Sequence, residues 1–163
     1  MSKAIVVYYS LEGNVDFVAK KIAQELGADT LRLETVKEYP KSGLMKFFHG
    51  GKDVVAGVKP ELKTQVPSLS DYDTVVIGCP VWASKPASPV STFLDTVDLA
   101  GKKCFAFASS AGGNAVKCLD IMAAGIKGKG GAFEGAQSFV NPLKKQEEAL
   151  AKTQEFVLKI KQA

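Results

Sequence analysis

Ala4-Ile5-Val6-Val7-Tyr8-Tyr9-Ser10-Leu11-Glu12-Gly13-Asn14-Val15 is the stretch that decides the fold. The apolar, β-prone run from Lys3 to Tyr9 predicts a strand buried on both faces. After Ser10-Leu11-Glu12-Gly13-Asn14, the residues Val15, Val18, Ala19, Ile22, Ala23 and Leu26 recur at helical spacing, and Gly27 ends the run. A buried strand that turns this tightly into an amphipathic helix opens a βαβ unit.

The alternation continues along the chain. Thr30 to Glu34 predicts a short second strand, and Asp73 to Cys79 a third that is buried on both faces. Ser88 to Val97 predicts a helix, with Pro89 allowed in its first turn. Lys102 to Ala108 predicts a fourth strand, Ala115 to Ile126 a helix, Gly131 to Val140 a weaker fifth strand, and Lys145 to Lys161 a closing helix. Strands alternating with helices imply parallel pairing and right-handed crossovers, hence an α/β doubly wound five-stranded parallel sheet. Val36 to Tyr72 is too long for a structureless connection in one compact domain, and predicts one or two short helices, Gly43 to Phe48 and a second at Lys52 to Val58. With no linker or repeat, residues 1–163 read as one domain.

With 163 residues, 46% apolar and 23% charged, the chain falls among packed globular domains rather than disordered or disulfide-stapled ones. No apolar run approaches the 18 or so residues of a membrane span. The three cysteines form no CxxC pair and point to free thiols in a reducing, cytoplasmic setting. Cys79, Cys104 and Cys118 read as packed core thiols. Net charge is +4, yet Arg32 is the only arginine, so nothing suggests the Arg- and aromatic-rich face of a nucleic-acid binder. Lys144, Lys145, Lys152, Lys159 and Lys161 read as a solvated face.

In an open α/β sheet, ligands sit beyond the carboxyl ends of the strands, where the strand order reverses. Three loops therefore matter. Ser10 to Val15 offers amides at a helix N-terminus that suit a phosphate, or simply a tight turn with Asn14 as the N-cap. It is neither a P-loop nor GxGxxG. Pro80-Val81-Trp82-Ala83-Ser84 carries the only tryptophan, which is either a stacking platform or a plug at the edge of the core. Ser109-Ser110-Ala111-Gly112-Gly113 lets backbone approach a ligand closely, or is a flexible turn. His49, beside Gly50-Gly51, reads as a surface residue, and Phe47 and Phe48 as a small core under the long connection.

With these loops in this order, the chain resembles the flavodoxin family of FMN proteins nearly end to end. Ser10-x-x-Gly13-Asn14 is similar to the family's phosphate loop, and Gly78-Cys79-Pro80-Val81-Trp82 to its first flavin-flanking loop. Ser88-Pro89-Val90-Ser91-Thr92-Phe93-Leu94 is similar to the helix that follows in a branch of short flavodoxin-like proteins. The resemblance implies strand order 2-1-3-4-5 and FMN as cofactor. It implies that Ser10, Asn14 and the amides from Leu11, Glu12 and Gly13 to Val15 hold the phosphate. Pro80, Val81, Trp82, Ala83 and Ser84 would flank the flavin, with Trp82 stacking on it, and Ser109, Ser110, Ala111, Gly112 and Gly113 would meet its polar edge. Glu12 and Val15 depart from the family's hydroxyls, Ala83 stands where many members have Gly, and the third loop has no aromatic. Three functions are consistent with this pattern. The first is an electron carrier serving a redox partner protein or a small electron acceptor, as a monomer or weak dimer. The second is an FMN oxidoreductase using NAD(P)H to reduce a quinone. The third is a binding module whose flavin site has decayed.

Overall fold

The computed structural model describes residues 3–40 and 44–163, with side chains at 3–40 and from Gly50 onward. The strands are β1 (Ala4–Tyr8), β2 (Asp29–Arg32), β3 (Thr74–Trp82), β4 (Lys85–Pro86), β5 (Lys103–Ser110) and β6 (Ala132–Val140). The helices are α1 (Asn14–Leu26), α2 (Leu44–Ala56), α3 (Ser88–Thr96), α4 (Val116–Gly128) and α5 (Gln146–Gln162). The sheet order is β2-β1-β3-β5-β6, and every neighbour along that path is parallel. This is the expected doubly wound arrangement. Because β1 pairs with β2 on one side and β3 on the other, the order reverses between β1 and β3.

Side chains alternate across the strands and divide the core into two layers. Ile5, Val7, Val75, Ile77, Ala106 and Ala108 pack against α3 and α4. Val6, Tyr8, Val76, Phe105 and Phe107 pack against α1 and α5. The second layer is built on edge-to-face rings, with Phe107 centred 6.1 Å from Phe139 and 6.5 Å from Phe156. Gly78 leaves room for this layer, since a Cβ there would stand 2.1 Å from Phe107 Cζ. Cys79, Cys104 and Cys118 are all free and buried. Cys79 Sγ lies 3.9 Å from Cys118 Sγ and 3.5 Å from Met122 Sδ. The contact with Cys118 and full burial push the Cys79 thiol up, and burial pushes Cys104 up to about 11, so neither is a ready nucleophile.

Two expectations fail. Among the described residues the long connection holds one 13-residue helix, α2, which runs on through Gly50-Gly51 instead of stopping short of them at Phe48. The third strand also continues past Cys79 to Trp82 and folds back through Ala83-Ser84 onto β4. Phe47, Phe48 and His49 lie in α2, but their side chains are outside the described residues. Among the described residues no helix is long and apolar enough to cross a membrane.

The β3–β4 turn carries a prediction. Ala83 (φ 48°) and Ser84 (φ 65°) are both left-handed, as in a type I′ hairpin that favours Asn-Gly. A Cβ in this region costs roughly 1–2 kcal/mol, and glycine returns about 0.4–1 kcal/mol of that through the freedom of the unfolded chain. Ser84 is exposed, so little contact is lost. Ser84→Gly should therefore stabilise the protein by roughly 0.5 kcal/mol or more, read as a higher urea midpoint at unchanged slope. A lower midpoint would refute the turn assignment.

Candidate functional site

A cleft of about 390 Å³ lies over the carboxyl ends of β1, β3 and β5, at the point where the strand order reverses. All three loops meet there. The first contributes Ser10, Leu11, Glu12, Asn14 and Val15; the second Pro80, Val81, Trp82 and Ala83; the third Ser109, Ser110 and Ala111. Gly13, Ser84, Gly112 and Gly113 support these loops without lining the cleft. Gly13 caps α1 at φ 104°, Ser84 completes the hairpin turn, and Gly113 donates its N–H to Ser110 Oγ at 3.0 Å.

The first loop is held from both ends. Ser10 Oγ accepts the N–H of Gly13 at 3.2 Å and of Asp16 at 3.1 Å. Asn14 is the first residue of α1 rather than its cap, and its Oδ1 accepts the N–H of Leu143 at 3.1 Å. The amides of Asn14 and Val15, in the first turn, have no protein acceptor among the described residues. The Val15 side chain is buried in the core, so only its backbone can serve the cleft. Arg32 steadies the loop by donating to Ser10 O at 3.1 Å and pairing with Asp16 at 3.3 Å.

Asp16 is a hub, since Tyr8 OH donates to it and Lys20 pairs with it at 2.9 Å. Partial burial pushes its carboxyl up, but the Tyr8 hydroxyl, Lys20 and Arg32 outweigh burial and hold it below its ordinary value. A carboxyl lowered on folding contributes stability above its unfolded pKa and loses it as pH falls through the lower folded value. Asp16→Asn should therefore destabilise the protein at neutral pH. Its melting temperature should converge with that of the wild type as pH drops below about 4. A gap that stays constant into acid would show that charge plays no part.

Trp82 forms one wall. Gly50 of α2 lies against the indole so closely that a Cβ there would stand 3.0 Å from Trp82 Cδ2. Tyr9 and Tyr39 meet the ring edge-on, with centroids at 5.7 and 4.9 Å. Burial pushes the Tyr9 hydroxyl up to about 12, so it stays neutral. Trp82 is thus both an edge of the core and a face of the cleft.

Sequence reasoning missed four lining residues: Gly51, Asn141, Leu143 and Lys144. Gly51 sits in a segment read as a break between two helices. The other three belong to the turn after β6, and Lys144 had been assigned to a solvated face. Asn141 alone carried a signal, because Asn followed by Pro marks a turn at the end of a strand.

The family model for flavodoxin matches residues 3–130. The chain belongs to the flavodoxin family. Among its flavodoxin-family relatives, an NAD(P)H dehydrogenase (quinone) of Caulobacter vibrioides is 31% identical over 121 residues, covering 68% of this chain and 58% of that protein. A protein of the same name from Cupriavidus metallidurans is 30% identical over 135 residues, covering 76% and 65%. The chain thus spans less than two thirds of the length of these curated relatives. The flavodoxin fold also matches solved structures. The flavoprotein of Lactobacillus acidophilus in complex with FMN superimposes with a TM-score of 0.71 at 22% identity, over 90% of this chain and 99% of that one. Oxidised Flavodoxin 2 of Bacillus cereus gives 0.64 at 19%, over 99% of both chains.

Proposed function

We propose that this flavodoxin-family protein binds FMN in the cleft and works as an electron-transfer protein serving a redox partner protein or a small acceptor. The observation that carries the reading is the convergence of the α1 N-terminus, Trp82 and the Ser109–Ala111 edge on one cleft at the reversal of strand order. The donor set fits the cofactor. Ser10 offers a hydroxyl, Asn14 a side-chain amide, and Asn14 and Val15 backbone N–H groups at the positive end of a helix, all suited to a phosphomonoester. Trp82 offers an aromatic face to the flavin ring. The backbone of Ser109 to Ala111 lines the side of the cleft that the polar edge of that ring would face.

FMN, when bound, supplies the one- or two-electron chemistry; the chain binds it, orients it and shields it. Arg32 and Asp16 hold Ser10 in place, and α2 holds the indole. The test is to purify the protein, release any chromophore and identify it by chromatography, then titrate the emptied protein with FMN. FMN as the tight ligand is the expected outcome. FAD as the tight ligand, or no flavin affinity, would overturn the reading.

One observation favours a second reading. The curated relatives are named NAD(P)H dehydrogenase (quinone), and the third loop lines the cleft with Ser109, Ser110 and Ala111 and no aromatic. Room beside the flavin is what a nicotinamide needs. NAD(P)H consumption in the presence of a quinone, by FMN-loaded protein, separates an oxidoreductase from a carrier.

A further inference from the structure

The turn from Asn141 to Lys145 is tied to two of the cleft's three loops. Asn141 donates its backbone N–H to Ser110 O at 3.0 Å and its side-chain amide to Ala111 O at 3.4 Å. Its own carbonyl accepts the N–H groups of Lys144 and Lys145 at 2.9 and 3.0 Å. Asn141 bends the chain at φ 43°, a left-handed conformation that Asn tolerates better than most residues. Leu143 donates its N–H to Asn14 Oδ1, and its Cδ1 sits 3.4 Å from where a Cβ on Gly13 would be. The turn is therefore a fourth side of the cleft, fixed to the phosphate-loop end.

Lys144 lines the cleft from this turn. Lys20, Lys59 and Lys152 each pair with a nearby carboxylate, but no carboxylate among the described residues lies within 4.0 Å of Lys144. An uncommitted cation thus faces a cleft whose other charged lining residue is Glu12. A phosphomonoester carries about −1.5 to −2 at pH 7, and a helix N-terminus supplies only about half a positive charge. A further cation at this end balances the remaining charge, and Lys144 is the one that lines the cleft among the described residues.

We propose that Lys144 forms an ion pair with the phosphate of the bound cofactor, so that the Asn141–Lys145 turn selects the phosphorylated flavin over its dephosphorylated form. This rests on the FMN reading above. The pair is partly open to solvent, so its effect is moderate and salt-dependent.

The experiment is a fluorescence-quenching titration of FMN and of riboflavin against wild type, Lys144→Gln and Lys144→Arg, at low and high sodium chloride. Lys144→Gln should weaken FMN binding by roughly two- to fivefold, with riboflavin unchanged. Lys144→Arg should keep most of the FMN affinity. Raising salt should weaken FMN binding in wild type more than in Lys144→Gln. An equal loss for both flavins would mean that the side chain only shapes the turn, and an unchanged FMN affinity would mean that it makes no pair; either overturns the proposal alone. Wild-type protein that binds neither flavin overturns the cofactor reading, and this one with it. Melting temperatures of the variants, expected to match wild type at this exposed position, confirm that the fold is intact.

Discussion

Gly78→Ala should lower the unfolding free energy by roughly 3 kcal/mol or more, the upper end of what overpacking a core costs. A Cβ at this position would stand 2.1, 2.4 and 2.5 Å from the tip of the Phe107 ring. Relief would require one side to move, and neither can. Gly78 is paired with Tyr8 on one side and with Phe107 on the other, so its backbone is locked in the middle of the sheet. Phe107 is fully buried and wedged between Phe139 and Phe156. Total stability of domains this size is of the order of 5–15 kcal/mol, so the loss is a large fraction. Phe107→Leu should rescue the alanine variant in part, although it costs stability on its own by leaving a gap. Urea denaturation of the two single variants and the double variant measures the coupling. An alanine variant within about 1 kcal/mol of wild type, with no coupling to Phe107, would contradict the packing described.

Trp82→Ala should act on two observables at once. Stacking of a planar heteroaromatic ring on an aromatic side chain contributes about 1–3 kcal/mol, so FMN affinity should fall by roughly 5- to 150-fold. The same substitution removes the edge contacts with Tyr9 and Tyr39 and the surface against which Gly50 packs. Each aromatic pair contributes about 0.5–1.5 kcal/mol, so stability should fall by roughly 2 kcal/mol as well. Trp82→Phe keeps an aromatic face and should recover most of the affinity but less of the stability. FMN titration and thermal melting of both variants separate the two roles. If affinity is untouched while stability falls, Trp82 serves only the core.

The strand–helix alternation was legible because the buried strands are apolar runs rich in β-branched and aromatic residues, and the helices repeat their apolar residues at three or four. The three cleft loops were legible because they follow from where parallel strands end. The single helix α2 was not. Glycine in a helix costs about 1 kcal/mol relative to alanine, so Gly50-Gly51 reads as a break. What overrides that local cost is Gly50 lying flat against Trp82, a contact between residues 32 positions apart. The hairpin through Ala83-Ser84 was hidden for a similar reason: neither residue is one that left-handed turns favour, and the strain is carried by the surrounding structure. The fourth side of the cleft was hidden by distance. Nothing near Pro142 in the sequence indicates that the next residue bonds Asn14.

That bond links residues 129 positions apart. A ribosome adding about 5–20 residues per second takes roughly 6–26 s to travel from Asn14 to Leu143. Throughout that interval the nascent first loop, its helix and much of the sheet can assemble, while the side built by Asn141 to Lys145 does not yet exist. A ligand that needs all four sides is therefore captured late in synthesis. Its supply in the cell bears on the finished fold rather than on the earlier stages of chain synthesis.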